Sequence, residues 1–287
     1  MADLLKYVLV GGLIGFMSGI FGVGGSSIGT PILNMLFHVP DLIALASPLP
    51  VTIPTAVSGA YSYWRKGLVR KDVALWASLA GLPGVVLGAL GTRFITGPGL
   101  MVLTGVFVLI VGGRLLVRDR PAKAGGAASR FSVPVLSGSI GLVVGLLSGL
   151  LANGGGFLLV PAFILLLGMS MQEAASTSLV CVAFYAVPGT LVHWWLGNIN
   201  WSLAFALSVG VIPAGYLGSR VGLAVRGDRT RVAFGVFLSV FGVDFILQHF
   251  GLKAPYTYLL LVGGVVAAVS WVVAGVALDH PAEGGRT

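Results

Sequence analysis

The stretch Ile20 to Leu33, IFGVGGSSIGTPIL, places a glycine turn, Gly22-Val23-Gly24-Gly25-Ser26-Ser27, inside an apolar run that extends from Leu4 to about Phe37. A second stretch, Leu150 to Phe163, reads LLANGGGFLLVPAF and sets Ala152-Asn153-Gly154-Gly155-Gly156 in the same register 130 residues later. A turn this rich in glycine is out of place in a greasy segment. Each unsatisfied backbone group in hydrocarbon costs several kcal/mol, so the break survives only where protein or a water-filled cavity surrounds it.

Composition sets the medium. The chain is 56% hydrophobic and 9% charged, with 44 glycines and a mean hydropathy of +1.00, against about 25% charged residues in a soluble domain. Most apolar segments exceed the ~20 residues that cross a bilayer, and the alternation of a β-barrel is missing. The expected fold is therefore all-α, a polytopic membrane protein whose surroundings are the lipid bilayer. One cysteine, Cys181, excludes an internal disulfide and reads as a small buried hydrophobe. No Cys/His cluster points to a metal, and nothing calls for a cofactor. The +8 net charge lies in short loops between apolar runs, so no nucleic acid partner is implied. Residues 1–22 are expected in the mature chain. Asp3 and Lys6 cancel, no small-residue cleavage site follows, and the repeat uses the segment.

Laid over itself at a gapless shift of 130, the sequence matches Gly15 with Gly145, Ser18 with Ser148, Gly19 with Gly149, Gly24 with Gly154 and Pro31 with Pro161. Gly59 with Gly189, Trp64 with Trp194, Pro83 with Pro213 and Gly112 with Gly242 follow. Chance would pair leucines and valines, not a lattice of glycine and proline. Repeat one is expected over residues 1–117, a linker over 118–133, repeat two over 134–250, and a last transmembrane helix with its tail over 251–287. Each repeat holds a broken pair (4–22 and 26–37; 134–152 and 156–168) and three full spans (43–64, 73–93, 99–117; 173–195, 202–223, 231–248). A span at roughly 256–278 stands alone.

Loop charge orients the spans. Arg65, Lys66, Arg70 and Lys71 follow one span; Arg114, Arg118, Arg120, Lys123 and Arg130 surround the linker; Arg220, Arg226, Arg229 and Arg231 lie between the last two spans of repeat two. These thirteen of the 17 Lys and Arg place their loops, and the C-terminus, in the cytoplasm, with the N-terminus outside. Trp64-Arg65-Lys66-Gly67 is basic, whereas its counterpart Trp194-Trp195-Leu196-Gly197-Asn198 is uncharged. Thr96-Gly97-Pro98 is bare, whereas its counterpart Arg226-Gly227-Asp228 is basic. Equivalent units thus face opposite sides, as in an inverted-topology repeat. An arm of 12 residues is ~18 Å of helix, short for a ~30 Å core. A re-entrant pair with its tip near the midplane is the economical reading, and two thin tilted crossings keep the same parity.

Inversion brings the two tips together from opposite faces. Helices should begin at about Ser26 and Gly156, presenting free N–H groups and a partial positive charge to a shared space. Such ends bind an anion without lysine or arginine. The expected substrate-binding set is Gly24, Gly25, Ser26, Ser27, Asn153, Gly154, Gly155 and Gly156. Ser47, Thr177 and Ser178 either cap helices only or also reach the anion. Gly15, Gly19, Gly145 and Gly149, spaced by four, read instead as helix-packing positions. His193 reads as an interfacial or packed histidine, and Asp244 and Arg114 as interfacial by default. No clustered His/Glu and no nucleophile–base pair supports an intramembrane enzyme, so no catalytic residue is expected.

The double glycine turn, Pro31 and Pro161, the Ser47 and Thr177-Ser178 region and the two-fold repeat resemble the TauE/SafE sulfite exporter family, also called the toluene-sulfonate uptake permease family. The resemblance covers about residues 8 to 278. It implies an inner (plasma) membrane transporter of small sulfur oxyanions or sulfonates, and it implicates Gly24, Gly25, Ser26, Gly154, Gly155 and Gly156. Ser26 departs from the fuller triplet that ends in Gly156, and Pro48 stands where Ser178 carries a hydroxyl. A passive anion channel is the alternative. Whether the chain works alone or as a homo-oligomer stays open. With Cys181 replaced, a cysteine at Gly67 should be labelled only from the cytoplasm and one at Gly197 only from outside. Labelling of both from one side would contradict the inversion.

Overall fold

The computed structural model describes residues 2–37, 39–92, 98–117, 132–152, 154–249, 263–264, 266–267, 270–272 and 274. The expected linker lies almost entirely outside the described residues, as does most of the expected last span. All regular elements among the described residues are helices: α1 Ala2–Phe21, α2 Ser26–Phe37, α3 Asp41–Ala46, α4 Pro48–Arg65, α5 Lys71–Gly91, α6 Pro98–Val117, α7 Val133–Leu151, α8 Gly156–Leu167, α9 Met171–Trp195, α10 Trp201–Ala224 and α11 Gly227–His249. Five stretches are long and apolar enough to cross a membrane: Ile43–Arg65, Lys71–Gly91, Val133–Leu151, Met171–Trp195 and Trp201–Ala224. Proline lies inside several of these helices, at Pro54, Pro83, Pro188 and Pro213, which membrane helices tolerate when neighbours satisfy the freed carbonyls.

The helices form two compact units. One comprises residues 1–95 and 121–220 and holds both glycine turns; the other comprises 96–120 and 221–287. Within the first unit, glycines spaced by four let helix backbones touch. A Cβ on Gly141, Gly145 or Gly149 of α7 would run into the backbone of Ala77, Gly81 or Val85 of α5. Back by 130 residues, Gly11, Gly15 and Gly19 of α1 meet Leu207, Val211 and Gly215 of α10 in the same way. With no hydrophobic force between helices in lipid, such close approach supplies the van der Waals energy that holds them. Packing is therefore the role these glycines take. Tyr185 of α9 pins the α5–α7 pair: its hydroxyl donates to the Ala77 carbonyl at 2.8 Å, with the Gly141 carbonyl at 3.3 Å. In the second unit, Gly112 of α6 lies against Gly235 and Ser239 of α11, and Gly242 against Gly105 and Leu109. Asp244, expected at an interface, is fully buried in that unit, while Arg114 is exposed.

One local expectation is corrected. Ser176-Thr177-Ser178 does not open a helix but lies inside α9, which starts two residues before the expected 173. The start is set upstream by a capping box, with Glu173 N–H donating to Ser170 Oγ at 3.3 Å and Ser170 N–H to Glu173 Oε2 at 2.9 Å. On the matching stretch of repeat one, prolines 48 and 50 interrupt the hydrogen-bond ladder between α3 and α4, while the backbone at Ser47 stays helical.

Gly145→Val should destabilise the purified protein by about 1–3 kcal/mol or more, because backbone cannot move aside as a side chain can. Tyr185→Phe, which loses hydrogen bonds only, should cost about 0.6 kcal/mol. Unfolding in detergent measures both, and equal costs would contradict backbone contact at Gly145.

Candidate functional site

The turns fold alike at two matched positions and differ at a third, where Gly155 is left-handed, with φ of 75°, and Gly25 is not. Gly22 and Gly24 have φ of 74° each, and their counterparts Ala152 and Gly154 have 47° and 71°. Left-handed backbone is open to glycine and strained for alanine, so Ala152 is held there by its fully buried surroundings. Helices start at Ser26 and Gly156, the residues expected. The first ladder bond of α2 runs from Gly29 N–H to the Gly25 carbonyl at 3.0 Å. The amides of Ser26, Ser27 and Ile28 thus precede the ladder and point out of the helix end.

The tips meet. A Cβ on Gly156 would strike the backbone of Val23. A Cβ on Gly154 would lie 3.4 Å from Ser26 Oγ. Two side chains serve both turns: Thr52 Cγ2 lies 3.3 Å from such a position on Gly24 and 3.2 Å from that on Gly154, and Val182 Cγ1 lies 2.9 and 3.5 Å away. Thr52 and Val182 are themselves equivalent at the 130-residue shift, so they flank the meeting point from the two halves. Thr55 Oγ1 stands 3.5 Å from the Gly25 position. Sequence reading missed Thr52, Thr55 and Val182. The signal was available: Pro48, Thr52 and Thr55 share one face of α4, and the shift pairs position 52 with 182.

Residues 20–26 and 154–161 are buried throughout. Ser26 is fully buried, and its hydroxyl is without a hydrogen-bond partner. Neither α2 nor α8 carries an ionisable side chain, so the helix ends supply the local field. The other predicted hydroxyls have defined partners. Ser178 Oγ donates to the Gly22 carbonyl at 2.8 Å, holding the first turn from the second half. Ser47 Oγ accepts from Asn200 N–H at 2.9 Å, and Thr177 Oγ1 accepts from Arg70 N–H at 3.0 Å. The shift of 130 carries each of these last two bonds onto the other, so each half braces a loop of its twin. Asn153 and the side chain of Ser27 lie outside the described residues.

Long apolar helices, with buried glycine breaks that meet end to end, define a multi-pass membrane protein. The chain belongs to the sulfite exporter TauE/SafE family, whose family model matches residues 7–245. It is 32% identical over 221 residues to a probable membrane transporter protein of Xylella fastidiosa strain Temecula1, covering 76% of this chain and 84% of that protein. The probable membrane transporter protein YdhB of Bacillus subtilis is 26% identical over 74% of this chain and 88% of its own length. YunE of the same organism, another probable membrane transporter protein, is 27% identical over 76% and 87%. No solved structure matches the chain. The family is one of membrane transporters.

Ser178→Ala should lower stability by about 1–3 kcal/mol, because it strips a buried carbonyl of its donor. Ser26→Ala, which removes a hydroxyl that has no partner, should leave unfolding in detergent unchanged or raise its midpoint. A larger loss at Ser26 than at Ser178 would contradict these assignments.

Proposed function

We propose that this protein is a secondary transporter that carries a small sulfur-containing anion, such as sulfite, thiosulfate or a short sulfonate, across the plasma membrane. In this reading its two repeats have inverted topology, the basic loops face the cytoplasm, and the anion sits where the two glycine tips meet. The observation that carries it is the fully buried, partnerless hydroxyl of Ser26 beside the ladder-free amides of α2 and 3.4 Å from the Gly154 position. A donor with no acceptor is a cost that a bound anion removes.

A site built from dipoles suits a solute that must leave again. A fixed lysine would hold an anion far more strongly in a low-dielectric interior. Donors arranged on two sides match oxygens distributed around a central sulfur, and chloride offers no separate acceptors. Sulfur chemistry itself enters from the family, not from the tips. Burial of both tips supports alternating access over an open channel, since a conducting channel needs a continuous wet path. Gly24 and Gly154 are left-handed as well as close-packed, so valine there would disturb the turn whether or not a ligand binds. Ser26 is the cleaner probe.

Thiosulfate should stabilise the detergent-purified protein and chloride should not, at matched sodium and ionic strength. Ser26→Ala should weaken thiosulfate binding by about tenfold or more, the value of a hydrogen bond to a charged group. Equal affinity in the variant, or stabilisation by sodium whatever the anion, would overturn the reading.

A further inference from the structure

The repeat is broken chemically at one matched pair of buried positions. Tyr63 in α4 and His193 in α9 are equivalent, and both are 1% exposed. Tyr63 Oη donates to the Gly19 carbonyl at 3.2 Å. His193 Nε2 lies 3.5 Å from the Gly149 carbonyl, the equivalent atom. Each therefore braces the helix that leads into a tip, α1 before Gly22 and α7 before Ala152. Tyrosine holds its proton throughout the physiological range, whereas histidine changes charge between about pH 5 and 8.

His193 has a second contact that Tyr63 cannot have. Its Nδ1 lies 3.4 Å from Nδ2 of Asn198, in the uncharged loop that follows α9. The neutral ring fits with its hydrogen on Nε2, donating to Gly149, and Nδ1 accepting from the Asn198 amide. Both separations exceed the usual 2.7–3.2 Å of a hydrogen bond to nitrogen. The neutral ring thus holds its neighbours loosely. A proton taken onto Nδ1 from water at the loop would make both ring nitrogens donors. The Asn198 amide would turn to present Oδ1, and two charge-assisted bonds of about 2.7–2.9 Å would replace two slack ones.

Among the described residues, no ionised side chain bonds the ring and holds its charge fixed. Facing it are the Gly149 carbonyl of α7 and the Asn198 amide. Neither α7 nor α8 carries an ionisable side chain. Arg65 of α4 and Lys71 and Asp72 of α5 stand at the opposite end of α9, where Ser176 and Thr177 bind the 67–70 loop. Glu173 and Cys181 on α9 lie toward that same end, and Tyr185 is committed to Ala77. On α10, whose first residue Trp201 stacks edge-on against Trp194 beside the histidine, Arg220 sits near the far end.

We infer that His193 is a proton-binding site that links occupancy of the glycine tips to the pH at the 197–200 loop, an inference that rests on the anion reading of those tips. A positive ring bonded to the C-terminal turn of α7 tightens the support of the second tip and adds favourable charge for an anion. By reciprocity, a bound anion favours protonation of His193. Anion affinity therefore rises as pH falls through the histidine range.

The experiment titrates thiosulfate, which stays ionised across this range, into the full-length protein in detergent at pH 5.5, 6.5, 7.5 and 8.5. The wild-type affinity should be about fivefold or more higher at the acid end, as for an ordinary coupling between two sites. His193→Gln should bind with an affinity close to the wild-type value at pH 8.5 and lose the slope. His193→Tyr, which installs the residue its twin uses, should do the same and covers the case in which glutamine does not fold. A flat wild-type profile, or a slope retained in either variant that binds, would overturn the inference while leaving the anion site standing. Absence of thiosulfate binding at every pH would remove the anion site and this inference with it.

Discussion

Bare backbone cannot be left facing hydrocarbon, and the architecture of the first unit follows from that constraint. Two helices are interrupted by glycine turns inside apolar segments, so each turn has to find its partners within the protein. The solution is that the turns cover one another. Val23 abuts Gly156, Ser26 approaches Gly154, and Thr52 and Val182 close the seam from the two halves. Ser178 reaches across to hold the Gly22 carbonyl. Neither half can bury its own break, so the pair is the structural unit.

The same exchange recurs away from the tips. Loop residues Arg70 and Asn200 each give an N–H to a hydroxyl of the other half. Glycine stripes on α1 and α7 dock on α10 and α5 at matched positions. The backbones of the two halves match at these places, and the side chains do not. Ser26 against Gly156, Thr52 against Val182 and Tyr63 against His193 are all differences at equivalent places. The first tip carries a hydroxyl that the second lacks, and the helix leading to the second is braced by a histidine in place of a tyrosine.

Much of this was legible in the sequence because glycine and proline act locally. Consecutive glycines cannot continue a helix, so the starts at Ser26 and Gly156 could be read directly. Glycines spaced by four announced helix contact without naming the partner helix. What the sequence hid was long-range. The hydroxyls of Ser47 and Thr177 read equally as helix caps, yet Ser47 makes no cap bond at the start of α4 and Ser170 with Glu173 caps α9. Their true partners lie in the other half, 153 and 107 residues away in the chain. Thr52 and Thr55 were masked by their apolar neighbours, because each hydroxyl satisfies itself on the preceding turn, at the Pro48 and Val51 carbonyls. Burial of Asp244 depends on what packs around α11, which no local pattern encodes.

The central claim is that the amides at the two helix starts, rather than any charged side chain, hold the anion. Hydrogen–deuterium exchange of the detergent-purified protein reads those amides directly. With thiosulfate present, against chloride at equal ionic strength, peptides covering residues 24–28 and 154–158 should exchange more slowly, together and by a similar factor. Peptides covering the packing stripes at 11–19 and 141–149 should change less. Exchange at both tips that is indifferent to the anion, while thiosulfate still binds, would place the site elsewhere and contradict the account.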